Sequence, residues 1–170
     1  EAQGVINVAA GTKTPAKETW EKVELVATAT ILGKQVIQQV GNLGELKVGK
    51  PPKVLVSLLH DDEPPAGKDP GLVITAGETI TAMIRINRNG FKGELRFDVD
   101  NLPHGVIVDN IGLSGIMVRA GETERQIFLT AAAWVPGTRR QIHAVAQGEG
   151  KQASRPIGIT VRSPEQAAAR

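Results

Sequence analysis

No cysteine occurs among the 170 residues, which excludes disulfides, zinc–thiolate centres and thiol nucleophiles. Tyrosine is absent too, and the aromatic set is Trp20, Trp134, Phe91, Phe97 and Phe128. Sugar platforms and single-stranded nucleic-acid grooves stack their ligands on exposed aromatic faces, and this chain has few to offer. Serine is confined to Ser57, Ser114, Ser154 and Ser163. None of them sits in a Gly-x-Ser-x-Gly elbow or beside an evident base, so no hydrolytic triad is in view. Walker and dinucleotide-binding glycine motifs are missing as well. No apolar run approaches the ~18 residues that cross a bilayer as a helix. The sequence opens at Glu1 without a signal-peptide pattern, as a mature or excised piece of an exported protein would. A net charge of +2 is too small for a nucleic-acid footprint. Neither a nucleic-acid partner nor membrane insertion is expected.

What the chain does have is turn chemistry, with 19 Gly and 10 Pro, and short alternating apolar runs between the turns. Gly4–Ala10 is a strand candidate. Val23, Leu25, Ala27, Ala29 and Ile31 recur at every second position, as in a half-buried strand, with a turn at Gly33-Lys34 and a return strand over Gln35–Val40. Leu46–Val48 is a further candidate. Lys50-Pro51-Pro52 resists both helix and central strand. Lys53–Leu59 reads as a strand, and His60–Gly71, acidic and rich in Pro and Gly, as an exposed linker. Ile80, Ala82, Ile84 and Ile86 then alternate with polar neighbours up to Asn89-Gly90, which predicts a hairpin to the strand Glu94–Asp100. The corner Leu102-Pro103-His104-Gly105 leads to Val106–Val108. Further strands are expected over Ile116–Arg119, Arg125–Ala132, Ile142–Ala146 (with Gln141 and His143 on the opposite face) and Ile157–Val161, and a fraying tail over Pro164–Arg170. No window carries a helical period.

The chain also repeats itself. Ala27-x-Ala29 with Gly33-Lys34-Gln35 matches Ala144-x-Ala146 with Gly150-Lys151-Gln152 at an offset of 150 − 33 = 117. Basic usage shifts as well: residues 1–71 use only Lys, whereas 72–163 carry nine Arg and two Lys. The expected organisation is therefore residues 1–49 as the last strands of one sandwich, 50–71 as a strand and linker, 72–163 as a complete sandwich and 164–170 as a flexible tail.

Chemistry-bearing residues are sparse. Asp98, Asp100, Asn101 and Asp109, with His104 and Asn110 nearby, place oxygen donors around two turns, and calcium takes six to eight such donors. Their spacing does not fit an EF-hand, and solvated turn residues are the simpler reading. They are the only calcium candidates; no other cofactor and no catalytic residue is expected. His60-Asp61-Asp62-Glu63 reads as charged linker, and Arg125, Arg139, Arg140 and Arg155 as a mixed solvated surface. Trp134 reads as a plug at one end of the sandwich rather than a binding platform.

The runs NGFKGELRFDVDNLPHGVIVDNIGL and AGETERQIFLTAAAWVPGTRRQIHAVAQGEGKQASRPIGITV resemble the immunoglobulin-like modules repeated in large secreted or surface proteins of bacteria, especially of the planctomycete type. The resemblance covers Val73 to Arg162. It implies an all-β fold, an immunoglobulin-like antiparallel β-sandwich preceded by a partial second sandwich. It also implies a cell-envelope, periplasmic or extracellular setting, and a non-catalytic role in spacing, adhesion or assembly, with other protein subunits or copies of itself as partners. An accessory, glycan-binding domain of a secreted hydrolase is the alternative. The corner Asn101–Val106 and the turn Pro136-Gly137 match features that set the fold. The cysteine pair and tyrosine corner of antibody domains are absent, which leaves aliphatic packing to hold the core.

Overall fold

The computed structural model describes residues 3–9, 11–61, 71–109 and 111–165. The chain divides into two compact units, Val8–Pro51 and a larger one of Glu1–Asn7 with Pro52–Arg170.

In the smaller unit a one-turn helix α1 (Lys17–Trp20) precedes a hairpin of β1 (Leu25–Ile31) and β2 (Lys34–Gly41). The hairpin forms where alternation predicts it. Its turn uses two consecutive left-handed residues, Leu32 (φ 50°) and Gly33 (φ 76°), whose twist suits a two-residue connection between antiparallel strands. Both strands are exposed along their whole length, not half-buried as their alternation predicts, because a two-stranded ribbon by itself covers neither of its faces. Residues 3–9 form no strand, contrary to expectation, and Ala10 lies outside the described residues; Leu46–Val48 forms none either. The Val48 amide instead donates to Thr14 Oγ1 at 3.2 Å.

The larger unit is a two-layered sandwich. One sheet is ordered β3 (Val54–His60), β5 (Thr79–Arg88), β9 (Glu124–Ala131), β7 (Val106–Asp109). The other is ordered β4 (Leu72–Thr75), β11 (Ile157–Arg162), β10 (Thr138–Ala146), β6 (Leu95–Asp100), β8 (Ile116–Val118). All pairings are antiparallel except β4 with β11. The first sheet has the A-B-E-D order of an immunoglobulin constant domain, and β6, β10 and β11 take the places of its C, F and G strands. One departure is β8, which lies beside β6 but follows β7 in the chain. β3 pairs with β5 along its full length, so the strand grouped with the linker by composition is built into this sandwich. Among the described residues, every buried apolar side chain lies between Val54 and Val161. Ile84, Leu129, Ile142 and Ile159 are fully enclosed, each at an inward position of its strand.

Asn89-Gly90 does turn the chain, with Gly90 at φ 89°, but not into a hairpin. Both edges of β5 are already occupied, by β3 and β9, so the chain crosses to the other sheet and pairs β6 with β10 and β8. Asn89 is tied instead to the start of β3, its amide donating to Lys53 O at 2.8 Å. Beside it the Arg88 guanidinium donates to the carbonyls of Glu122 (2.7 Å), Gly93 (2.6 Å) and Arg119 (2.6 Å). Carbonyls in two loops thus converge on one planar cation with several donors.

The second half of the repeat is the pair β10–β11. At the positions equivalent to Leu32 and Gly33, Glu149 (φ 44°) and Gly150 (φ 80°) are also left-handed. Beyond this turn Ser154 is fully buried. Its Oγ accepts from the Ala144 amide and donates to the Arg155 carbonyl, both at 3.0 Å. Ser154→Ala would strand the buried Ala144 amide and leave the Arg155 carbonyl without its donor, and is expected to cost about 2 kcal/mol. A lowered urea midpoint together with faster exchange of the Ala144 amide would show it.

Candidate functional site

The residues singled out for chemistry surround the corner between β6 and β7. Asn101, the residue after β6, lies in the left-handed region (φ 65°), a conformation Asn tolerates, and its Nδ2 donates to Gln141 O at 2.6 Å. Pro103 is buried, and its carbonyl accepts from the Val106 amide at 2.9 Å. Gly105 (φ 85°) lies under Trp134: a Cβ there would meet Trp134 Cη2 and Val135 Cγ2, each at 2.6 Å. Exposed His104 tilts against the indole, with ring centroids 5.2 Å apart at 53°. Trp134 covers the corner with one edge while 62% of its surface remains exposed.

The four oxygen donors are divided between the layers. Asp98 and Asp100 stand on β6 opposite Val145 and His143 of β10, with Asp98 exposed and Asp100 half-buried. Asp109 ends β7 in the other sheet, where its Oδ2 accepts from Thr130 Oγ1 at 3.2 Å. Asn110 lies outside the described residues. Among the described residues no three His, Asp or Glu side chains gather where they could hold a metal.

Elsewhere, Asp61 accepts a hydrogen bond from Gln126 Nε2, while Asp62 and Glu63 lie outside the described residues. Arg125 is on β9 and Arg139 and Arg140 on β10, so the arginines belong to opposite sheets. His143 is buried, at 3% exposure, although its alternation with Ile142 and Ala144 places it on the outer face. β10 is flanked on both sides, by β11 and β6, and neighbours on a central strand cover its middle. Sequence reasoning also missed Arg88 and Ser154. A long cation closing a strand was the only signal at Arg88, and Ser154, between Ala153 and Arg155, carried none.

Two hollows remain. One, of about 180 Å³, is lined by Asp109, Ile111, Arg125 and Phe128, smaller than the ~300 Å³ at which small-molecule sites begin. The other, of about 390 Å³, lies beside His60 and Asp61 and is otherwise walled by Leu72, Val73 and residues 79–81 of β5.

Fold and surface together define an all-β, immunoglobulin-like β-sandwich module. No family model and no curated protein matches the chain. Among solved structures it is similar to domains 4 and 5 of the S-layer protein SbsC, with 16% identity and a TM-score of 0.40, over 76% of this chain and 59% of that one. It is similar also to a variant of the SrpA adhesin from Streptococcus sanguinis, at 9% identity and a TM-score of 0.36, over 68% of this chain and 59% of that one. Fibronectin(III)-like modules of CbhA from Clostridium thermocellum match at 17% identity and a TM-score of 0.32, over 86% and 64% of the two chains. The chain spans roughly three fifths of each solved chain. No described helix is long and apolar enough to cross a membrane.

Proposed function

We propose that this chain is a non-catalytic structural module of an exported bacterial surface protein, acting as a spacer and assembly element. The planctomycete-type affiliation belongs to the same proposal, as do the envelope or extracellular setting and protein partners. The observation that carries the reading is where the chain comes into the sandwich and where it leaves. Val54, the first residue of β3, pairs with Arg88 at the far end of β5. Arg162, the last residue of β11, accepts from the Ala76 amide at 2.9 Å, just before β5 begins at Thr79. The two ends are therefore separated by the length of β5, ten residues or about 30 Å at ~3.3 Å per residue. A module threaded from end to end extends a chain, whereas one whose termini meet on one side only decorates it. Between the ends stand two hydrogen-bonded sheets around one apolar core, with no disulfide to tie them.

Mechanical stretching tests the load-bearing part of this reading. With the only thiols placed by Lys53→Cys and Pro164→Cys, the sandwich is expected to rupture in one event, releasing roughly 340–370 Å of chain beyond its folded span. Stepwise yielding at low force would contradict it. The glycan-binding alternative would need an aromatic groove; the one large exposed aromatic of the sandwich is Trp134, whose edge is occupied at the corner.

A further inference from the structure

We propose that the outer edge of β3 is a self-association edge, along which a second copy of this chain lays its own β3 antiparallel and joins the two four-stranded sheets into one. This deepens the assembly role above and rests on it. An open strand edge attracts another strand unless it is short, charged, bulged or broken by proline. The other edge strands of the sandwich are short: β7 and β4 have four residues each and β8 has three, and β7 also ends on Asp109. β3 has seven, pairs with β5 at every one of them without a bulge, and holds neither charge nor proline from Val54 to Leu59. Leu55, on its outer face, is 52% exposed. Among the described residues the longest edge of the sandwich is thus the unguarded one.

Backbone direction determines which groups that edge offers. The Asn89 amide donates to the Lys53 carbonyl, so Lys53 turns its backbone groups toward β5. Direction alternates along a strand. Leu55, Ser57 and Leu59 therefore do the same, while Val56 and Leu58 turn theirs to the outer edge. With a two-fold axis through Ser57, normal to the sheet, Val56 exchanges both hydrogen bonds with the partner's Leu58, and Leu58 with the partner's Val56. Ser57 meets the partner's Ser57 as a non-hydrogen-bonded pair, the kind whose side chains approach more closely.

Side chains select this register. Lys53, Leu55, Ser57, Leu59 and Asp61 recur at every second position and share the outer face. Asp61 stands there by its own contact as well: its carboxylate accepts from Gln126 Nε2, and Gln126 shares the face of Leu59 through Met83. About Ser57 these residues are self-complementary. Leu55 opposes the partner's Leu59 and Lys53 opposes the partner's Asp61, each twice, and opposite charges directly across a ladder attract. The Gln126 bond uses Oδ2, and a carboxylate accepts at both oxygens. Sliding the second strand by two residues, the smallest step its backbone allows, sets Lys53 against the partner's Leu59 or Asp61 against the partner's Leu55. Either slip separates the charges. The contact is isologous and closes on itself.

The test is the mass of the purified chain by light-scattering chromatography, with the melting of the sandwich as a folding control. A dimer is expected. Ser57→Lys, which sets two like charges on the axis, should give a monomer with unchanged melting. Ile107→Lys, at an exposed position of β7 on the far edge of the same sheet, should remain a dimer. Lys53→Glu should weaken the dimer about tenfold, and adding Asp61→Lys should restore it. Because the chain holds no cysteine, oxidation reads the register. Ser57→Cys brings two thiols together with Cα atoms about 4.5 Å apart, within disulfide reach, and should lock the dimer covalently. Leu55→Cys leaves its two thiols roughly 14 Å apart along the strands and should not. Equal cross-linking at both positions, or no rescue by Asp61→Lys, would overturn the register. A monomeric parent chain would overturn the proposal, as would a dimer that Ser57→Lys leaves intact or that Ile107→Lys dissociates as completely. The end-to-end span of the sandwich, on which the spacer reading rests, is measured within one labelled chain among unlabelled copies and is untouched by any of these results.

Discussion

Replacing Leu129 with alanine is expected to cost the sandwich about 3–4 kcal/mol. Leu129 lies on β9 with 0% of its surface exposed, between Ile80 of β5 and Val108 of β7. It stands at the centre of a layer whose neighbours are all strand residues in fixed register. Such a layer cannot close over a lost isobutyl group without shifting two ladders, so most of the cavity would persist. The urea midpoint should fall while the slope of the transition is unchanged. Leu113→Ala is the matched control. That leucine is fully exposed, at 108%, and the same chemical deletion there should stay within about 0.5 kcal/mol. Equal costs at the two positions would mean that the four-stranded sheet does not carry the core.

Gly105→Ala is expected to cost about 3 kcal/mol through two separable causes. A left-handed φ of 85° strains any residue with a Cβ, by roughly 1 kcal/mol or more. The added carbon would also stand 2.6 Å from both Trp134 Cη2 and Val135 Cγ2, and forcing side chains out of a packed position costs typically 1–3 kcal/mol. Trp134 has room to swing outward; buried Val135 does not. A double-mutant cycle separates the parts. In a Trp134→Ala background the penalty should shrink by about 1 kcal/mol without vanishing. An unchanged penalty would mean that the indole does not rest on the corner.

The sandwich was legible wherever one face of a strand is buried and the other wet. Ile84 and Ile86 on β5 and Leu95 and Phe97 on β6 point inward as their period of two dictates. What periodicity does not encode is pairing. Asn89-Gly90 carries the local chemistry of a hairpin, yet the edges of β5 are already occupied and the chain must cross. His143 shows the same limit, since polarity placed it outside while its central strand closed neighbours around it. In the β1–β2 hairpin alternation located the strands but not their burial, because a pattern records what a face is suited to meet and not whether it is covered. The oxygen donors were grouped by nearness in sequence; the corner after Asn101 sends Asp109 to the other sheet.

The most direct measurement is the distance between spin labels at Lys53→Cys and Pro164→Cys, which the absence of native cysteine makes straightforward. A single narrow distribution near 30 Å is expected if the chain runs through the sandwich from end to end. A distance below about 15 Å would bring both ends to one side and contradict the spacer role.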